Sequence, residues 1–342
     1  GGNVKLYTEA VNNFISNCIK QTAKRAFIEI GNTGGYTDTS HLAITQDPTT
    51  SDAIEFLKGT GITPAYWHYL KGDNNCKGFC SFESKIPPLH KNDETSFVKR
   101  EFAIENQLEK YISTNLNECL NNFISFDKQG VNVKSKIPNA TVQITEKDVR
   151  FLVEMPTEIT KDSKKTTINK FFEIINIDFN SIYNLAAEVT RAEQKYGFIE
   201  RVTLDLLNVF SGIDKLKIPP MSGSDIGSSS IFWQSESVKE NIQLMLQTYI
   251  RYLKVQSSIN FERIILQDKS PTAQSVFDSM VIPLQGFDKV GVTFDYFANW
   301  PLYFTINSKG GLIQPESIYE PIFNFGIHRY NAVYDLSFPV MV

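Results

Sequence analysis

Four cysteines, four histidines and one aromatic run carry most of the chemistry available to this chain of 342 residues. Cys76 and Cys80 flank Lys-Gly-Phe and are near enough in sequence to bridge within a small loop. Cys18 and Cys119 are far apart, but each falls on the apolar stripe of a predicted helix, and two packed helices would bring them together. A bridge between them would close a loop of about 100 residues, contributing up to about 4.7 kcal/mol on the chain-entropy model. An even count that divides into a long-range and a local pair favours an oxidising compartment. Four buried thiols in a reducing compartment remain the alternative at this point. Zinc is weaker, because the spacing is not Cys-x-x-Cys and the second pair would have to come from two distant helices.

The other reactive residue types select no reaction. His41, His68, His90 and His328 never occur at the i, i+3 or i, i+4 spacing of helical metal ligands. Gly223-Ser-Asp-Ile-Gly227 has the outline of a nucleophile elbow, but its centre is Asp225 and no predicted strand leads into it, so it reads as an exposed Gly/Ser-rich loop within residues 211–235. No Gly-rich phosphate loop with a following Lys and Ser/Thr occurs. Two carboxylates facing each other would make a glycosidase site, yet the sequence cannot choose a pair from 38 acidic residues. Thr63 to Leu70 contains Tyr66, Trp67, His68 and Tyr69 in succession. Exposed, Tyr66, Trp67 and Tyr69 would form a platform for a sugar ring or a protein partner; buried, they are alternate packing residues of a strand. Asn139-Ala-Thr141 is an N-glycosylation acceptor, expected in a turn between strands.

The elements that must position these groups follow from periodicity. Val4, Tyr7, Val11, Phe14, Ile15, Cys18, Ile19, Ala23, Ala26 and Ile30 recur at spacings of three and four, which predicts a helix over residues 4–30, roughly 40 Å long. Gly31 to Tyr36 ends it. Residues 97–126 repeat the pattern through Leu108, Ile112, Leu116, Cys119, Leu120 and Phe123, giving an antiparallel partner. Between them, residues 32–95 are too long for a plain connection and read as an inserted subdomain or functional loop. Beyond residue 128 the pattern alternates, predicting three meander strands near 130–136, 141–145 and 149–155 and a domain boundary at 128. Lys161 to Lys165 reads as a solvated hairpin turn. A helical stretch over 178–210 is interrupted by Gly197, and Ser237-Val-Lys-Glu240 has a capping-box pattern opening a helix to about Val255. Strands are expected at 261–266, 275–284, 290–297, 302–307 and 333–342.

Composition narrows the partners. A net charge of −4 with interspersed signs leaves no basic stripe for nucleic acid. No run of 18 apolar residues occurs. The start at Gly1-Gly2 beside a long helix, and the end within the apolar run Asp335 to Val342, read as cut ends, with an anchor preceding and more chain following.

Certain phrases resemble one family. Asn17-Cys18-Ile-Lys-Gln-Thr-Ala23 running into Ile30-Gly31 and Gly34-Gly35-Tyr36, Ile104-Glu-Asn-Gln-Leu108 with Tyr111-Ile112, and Asn117-Glu-Cys119-Leu-Asn-Asn-Phe123 are similar to uncharacterised archaeal cell-surface (extracytoplasmic) proteins from small-genome archaea. So are Trp300-Pro-Leu-Tyr-Phe304, Gly310-Gly-Leu-Ile-Gln-Pro-Glu316 and Tyr334-Asp-Leu-Ser-Phe-Pro-Val340. The resemblance implies an exterior protein with an N-terminal pilin-like or transmembrane anchor, supports pairing Cys18 with Cys119, and brings no established activity.

The resulting expectation is an α+β protein. A disulfide-tied helical hairpin with an inserted loop subdomain (1–128; insert 32–95) precedes a mixed domain (129–342) of antiparallel strands interleaved with helices near 178–210 and 237–255. The function expected first is a non-enzymatic cell-surface structural or adhesion protein that assembles with itself or another surface protein, with strands near the ends available for strand addition. A glycan-binding ectodomain using Tyr66, Trp67 and Tyr69, and an extracellular hydrolase, are the alternatives. No cofactor or metal is expected, no nucleic acid, and membrane contact only through an upstream anchor.

Overall fold

The computed structural model describes residues 2–45, 47–72, 81–93, 98–267, 271–320 and 325–342. The chain is α+β, as its periodicities predict, and divides into two compact units. The first comprises Gly1–Ile44, Asp52–Trp67 and Ser84–Asn184; the second comprises Thr45–Ser51, His68–Glu83 and Leu185–Val342.

The spine of the first unit is α1 (Gly2–Asn32), which buries Val11, Ile15, Cys18, Ile19, Ala23, Ala26 and Ile30. Beside it runs α2 (Ile104–Leu120), burying Leu108, Ile112, Leu116 and Leu120, and the short α3 (Ile124–Asp127) follows. The two long helices are antiparallel: Phe14 meets Phe123 and Phe126 at one end, and Gln107 donates to the Gly35 carbonyl at 2.9 Å near the other. The phrase Gly34-Gly35-Tyr36 turns the chain between them. Both glycines have positive φ, and a Cβ would meet the Ala65 backbone at 2.9 Å from Gly34 and Pro87 at 2.4 Å from Gly35, so no larger residue fits. The turn buries Tyr36, whose hydroxyl donates to the Lys85 carbonyl at 2.7 Å.

Four antiparallel strands complete this unit: β1 (Asn132–Ser135), β2 (Asn139–Ile144), β3 (Val149–Lys161) and β4 (Lys164–Ile175). They are not a simple meander. β1 and β2 lie end to end along one side of β3, and β4 pairs with the other side. β3 alternates without error over Val149, Phe151, Val153, Met155, Thr157 and Ile159, all buried. The ladder with β4 is irregular around Pro156, between Glu154 and Thr157, where a proline costs no pairing. The turn at Asp162-Ser163 has two left-handed residues, the geometry of a tight hairpin, in agreement with the solvated hairpin turn expected over Lys161 to Lys165. β4 was not expected as a strand; only Phe171 of it is fully buried, so its alternation is faint.

Residue 128 is therefore a change from helix to sheet inside one unit, not a boundary: the buried residues of α1, α2 and β2–β4 form one core. Nor is 32–95 a self-contained insert, since its pieces are apportioned to both units.

In the second unit, the helical stretch expected over 178–210 is two helices, α4 (Phe179–Tyr196) and α5 (Phe198–Phe210), separated at Gly197 with φ +53°. The division between units falls between Asn184 and Leu185. The loop expected at 211–235 contains a strand, β5 (Gly223–Gly227), invisible locally because its partner lies about a hundred residues downstream. α6 (Ser235–Tyr249) begins two residues before the expected capping box and has no side-chain cap. No strand forms at 261–266; Pro271–Ser279 is a helix, α7, where a strand was expected; and 290–297 contributes only an isolated bridge, Asp295 with Met341. Near the end come β6 (Tyr303–Ile306), β7 (Glu316–Glu320), β8 (Phe325–Tyr330) and β9 (Tyr334–Ser337). β6 pairs with β9, and β7, β8 and β5 form an antiparallel sheet in that order.

Candidate functional site

Cys18 and Cys119 form a disulfide with Cα atoms 5.5 Å apart, closing a separation of 101 residues. The bond ties the middle of α1 to the last turn of α2, joining the two stripes on which the cysteines were read. Cys76 and Cys80 lie outside the described residues.

The aromatic run does not make an open platform. Tyr69 is buried, and its hydroxyl donates to Glu83 at 3.1 Å. The Trp67 indole N–H donates to the Gly34 carbonyl at 2.8 Å, and its ring packs on Tyr183 at 5.6 Å. Burial raises the Tyr66 hydroxyl pKa above its ordinary value. Trp67 belongs to the first unit and Tyr69 to the second. Only Tyr69 of the run lies in a strand, Tyr69–Leu70, and Tyr66 and Trp67 are half-buried outside it, so the run forms neither an open platform nor the strand of alternating rings that the sequence also allows. Asn139 is exposed, at the first residue of β2 rather than in a turn.

Two groups that local sequence did not reveal are more organised. The first is a row across the sheet of β7, β8 and β5, where Ser317 pairs with His328 and His328 with Asp225. The Ser317 hydroxyl lies 2.7 Å from Nδ1 of His328, and Nε2 of that ring lies 3.3 Å from the Gly227 carbonyl oxygen. His328 is completely buried. Asp225 Oδ1 is buried with no hydrogen-bond partner among the described residues. The nearby Tyr330 hydroxyl accepts the Ile231 N–H at 3.0 Å, and its pKa is raised chiefly by burial. The alternation Phe-Gly-Ile-His-Arg-Tyr in β8 was the available signal, but pairing three distant segments was beyond it.

The second group lies at the junction of α4 and α5. Glu193 accepts the Ile199 N–H at 3.1 Å, filling an otherwise empty position at the start of α5. Burial, with the neighbouring Glu200 carboxylate second, pushes the Glu193 carboxyl up to about 8. His68 is held below its ordinary value by burial, against the opposing charge of Glu200. The three are near one another in charge terms, but among the described residues no group of His, Cys, Asp and Glu has the geometry to hold a metal ion.

In the first unit, a cleft of about 380 Å³ lies beside Asn117, Asn122, Phe123, Lys134 and Ser135. Its rim includes the connection from α2 to α3, where Asn121, Asn122 and Phe123 all have positive φ. Left-handed backbone is tolerable for Asn and costly for Phe; burial of the Phe123 ring against Phe14 offsets that strain.

Comparison with known proteins finds no match to a family model, to a curated protein or to a solved structure. Among the described residues, no helix is long and apolar enough to cross a membrane.

Proposed function

We propose that this chain is a structural or adhesive protein of the cell exterior that assembles with further copies of itself through its second unit. The observation carrying this reading is the outer face of the sheet formed by β7, β8 and β5. Ile318, Ile327 and Ile226 form one cross-strand row, and these residues are 63%, 40% and 71% exposed. Phe325 extends the patch. Contiguous exposed apolar surface on an antiparallel sheet is a cost to an isolated molecule and marks a contact surface. β5 and β7 are the outer strands of this sheet, and β9 pairs only with β6 among the described strands, leaving backbone available for strand addition. The exterior location is supported by the Cys18–Cys119 disulfide, since such bonds persist in oxidising compartments. The resemblance to archaeal surface proteins points the same way.

Two measurements test this. Non-reducing peptide mapping of the protein from its source cells is expected to recover the Cys18–Cys119 linkage and to report any mass added at Asn139; thiols free at Cys18 and Cys119 would overturn the exterior location. Light scattering across a concentration series is expected to give concentration-dependent oligomers that Ile327→Asp abolishes with an unchanged circular-dichroism spectrum. A monomer at every concentration would overturn the assembly reading.

A further inference from the structure

We propose that Ser317 is a nucleophilic serine, activated by His328, that accepts an acyl group from carboxylic esters. This goes beyond the structural role and does not rest on it.

The protonation state of the pair follows from its neighbours. Nε2 of His328 faces the Gly227 carbonyl oxygen, which can only accept, so Nε2 carries the ring proton. Nδ1 is then bare and accepts from the Ser317 hydroxyl at 2.7 Å. Nucleophile within reach of base, with the base oriented by a third group, is the arrangement that activates a hydroxyl. Two contacts fix the ring itself. A Cβ at position 326 would stand 3.0 Å from both His328 Cε1 and the Tyr319 ring, so Gly326 leaves the space the imidazole occupies. The Tyr319 ring meets the imidazole edge-on at 5.6 Å.

Exposure is divided as a reactive serine requires. His328 is buried, and Ser317 is exposed on an outer strand of the sheet. On the far side of His328 stands Asp225, its cross-strand partner, with one carboxylate oxygen buried and unpartnered among the described residues.

The step balances without a cofactor. Ser317 Oγ attacks the ester carbonyl carbon, and its proton passes to Nδ1. The tetrahedral adduct collapses, breaking the bond to the alcohol oxygen, which leaves with the proton returned from Nδ1. Water attacks the acyl-serine by the same route and releases the carboxylic acid.

The test treats the full chain with a biotinylated fluorophosphonate and maps the modified residue by mass spectrometry. Ser224 and Ser228, exposed in and beside β5, act as internal controls. The expected result is labelling at Ser317 at least 100-fold faster than at either control. Release of p-nitrophenol from p-nitrophenyl butyrate is expected to fall to the buffer rate in Ser317→Ala. His328→Gln is expected to slow labelling by roughly 10²–10⁴; should that buried substitution unfold the protein, the comparison among serines in the unaltered chain decides alone. Labelling of Ser317 no faster than the controls, or ester turnover unchanged in Ser317→Ala, would overturn the proposal.

Discussion

The two sheets of this protein handle their exposed groups in opposite ways. In the first unit, β2 is an outer strand whose backbone N–H groups at Ala140, Val142 and Ile144 point away from β3. Side chains of α2 receive all three: Ser113 at 3.0 Å, Glu109 at 2.9 Å and Glu105 at 2.9 Å. The match is geometric. Four helical residues rise roughly 6 Å, and two strand residues advance roughly 6.8 Å, so acceptors at i, i+4 and i+8 of a helix can serve alternate residues of an antiparallel strand. A helix thus does the work of the missing neighbour strand, and the edge is closed to strand addition. Among the described residues, the aliphatic row of the sheet of β7, β8 and β5 has no such cover, while the row Ser317, His328 and Asp225 centres on a buried histidine. Both faces are mixed: the exposed isoleucine row is flanked by the exposed row Glu316, Arg329 and Ser224, and buried Tyr330 shares the face of His328. The first sheet is built to hold a unit together; the second presents surface.

Breaking the closed region carries the largest expected effects. Replacing Cys18 and Cys119 together by Ser releases a constraint spanning 101 residues and is expected to cost about 4 kcal/mol. Calorimetry should show the transition of the first unit lowered and that of the second unmoved; a uniform shift would mean that the bond stabilises more than its own unit. Glu105→Ala comes next, at about 3 kcal/mol, because the buried carboxylate also accepts the Lys91 N–H at 3.1 Å and its loss leaves two backbone donors without partners. Ser113→Ala removes one such acceptor and is expected to cost about 1 kcal/mol. Equal, small losses in chemical denaturation for both would show that water replaces the helix and that the edge is not closed.

How much of this was legible in sequence follows the same division. The spine α1, the stripe of α2 and the alternation of β3 are local patterns with one buried face, and periodicity exposes them; it also puts Cys18 and Cys119 on two helical stripes, while their pairing is what the family resemblance supports and the fold shows. The closure of β2 was not legible: Glu105 and Glu109 read as polar residues on a helix surface, and nothing in their spacing says that a strand edge lies opposite. The second sheet is the least legible. β5 is rich in Gly and Ser and gains its strand character entirely from pairing with β8, and α7 begins at Pro271 while the apolar residues Val276, Phe277 and Met280 to Ile282 read as a strand over 275–284. The Ser317–His328–Asp225 row joins three segments whose register only the fold supplies. Tyr66, Trp67 and Tyr69 show the converse, since a dense aromatic run in sequence is spent on packing.

A pH effect sharpens the comparison within the second unit. The Glu193 carboxyl is pushed up to about 8 in the folded chain, chiefly by burial and then by Glu200, from its ordinary value of 4.5. A carboxyl whose folded pKa is raised favours the folded state while protonated. The contribution is full below about 4.5 and is lost as pH rises through about 8. The thermal midpoint of the second unit is expected to fall between pH 5 and pH 9, and Glu193→Gln, which keeps an oxygen for the Ile199 N–H, is expected to flatten that fall. A slope that survives the substitution would assign the titration to another group.

The smallest expected change in stability is also the most discriminating. Val142 of β2 and Ile327 of β8 are both aliphatic residues on antiparallel strands, but Val142 is buried in the core of the first unit and Ile327 faces outward. Replacing Val142 by Thr sinks a hydroxyl into that core and is expected to cost about 1–3 kcal/mol. Replacing Ile327 by Thr keeps a β-branched strand former and removes only exposed apolar surface, so denaturant unfolding of dilute protein is expected to change by less than about 0.5 kcal/mol. The same Ile327→Thr protein should lose the concentration dependence of its oligomers. If it unfolds as readily as Val142→Thr at low concentration, the aliphatic row is covered within a single chain, and the contrast between a closed sheet and a presenting one fails.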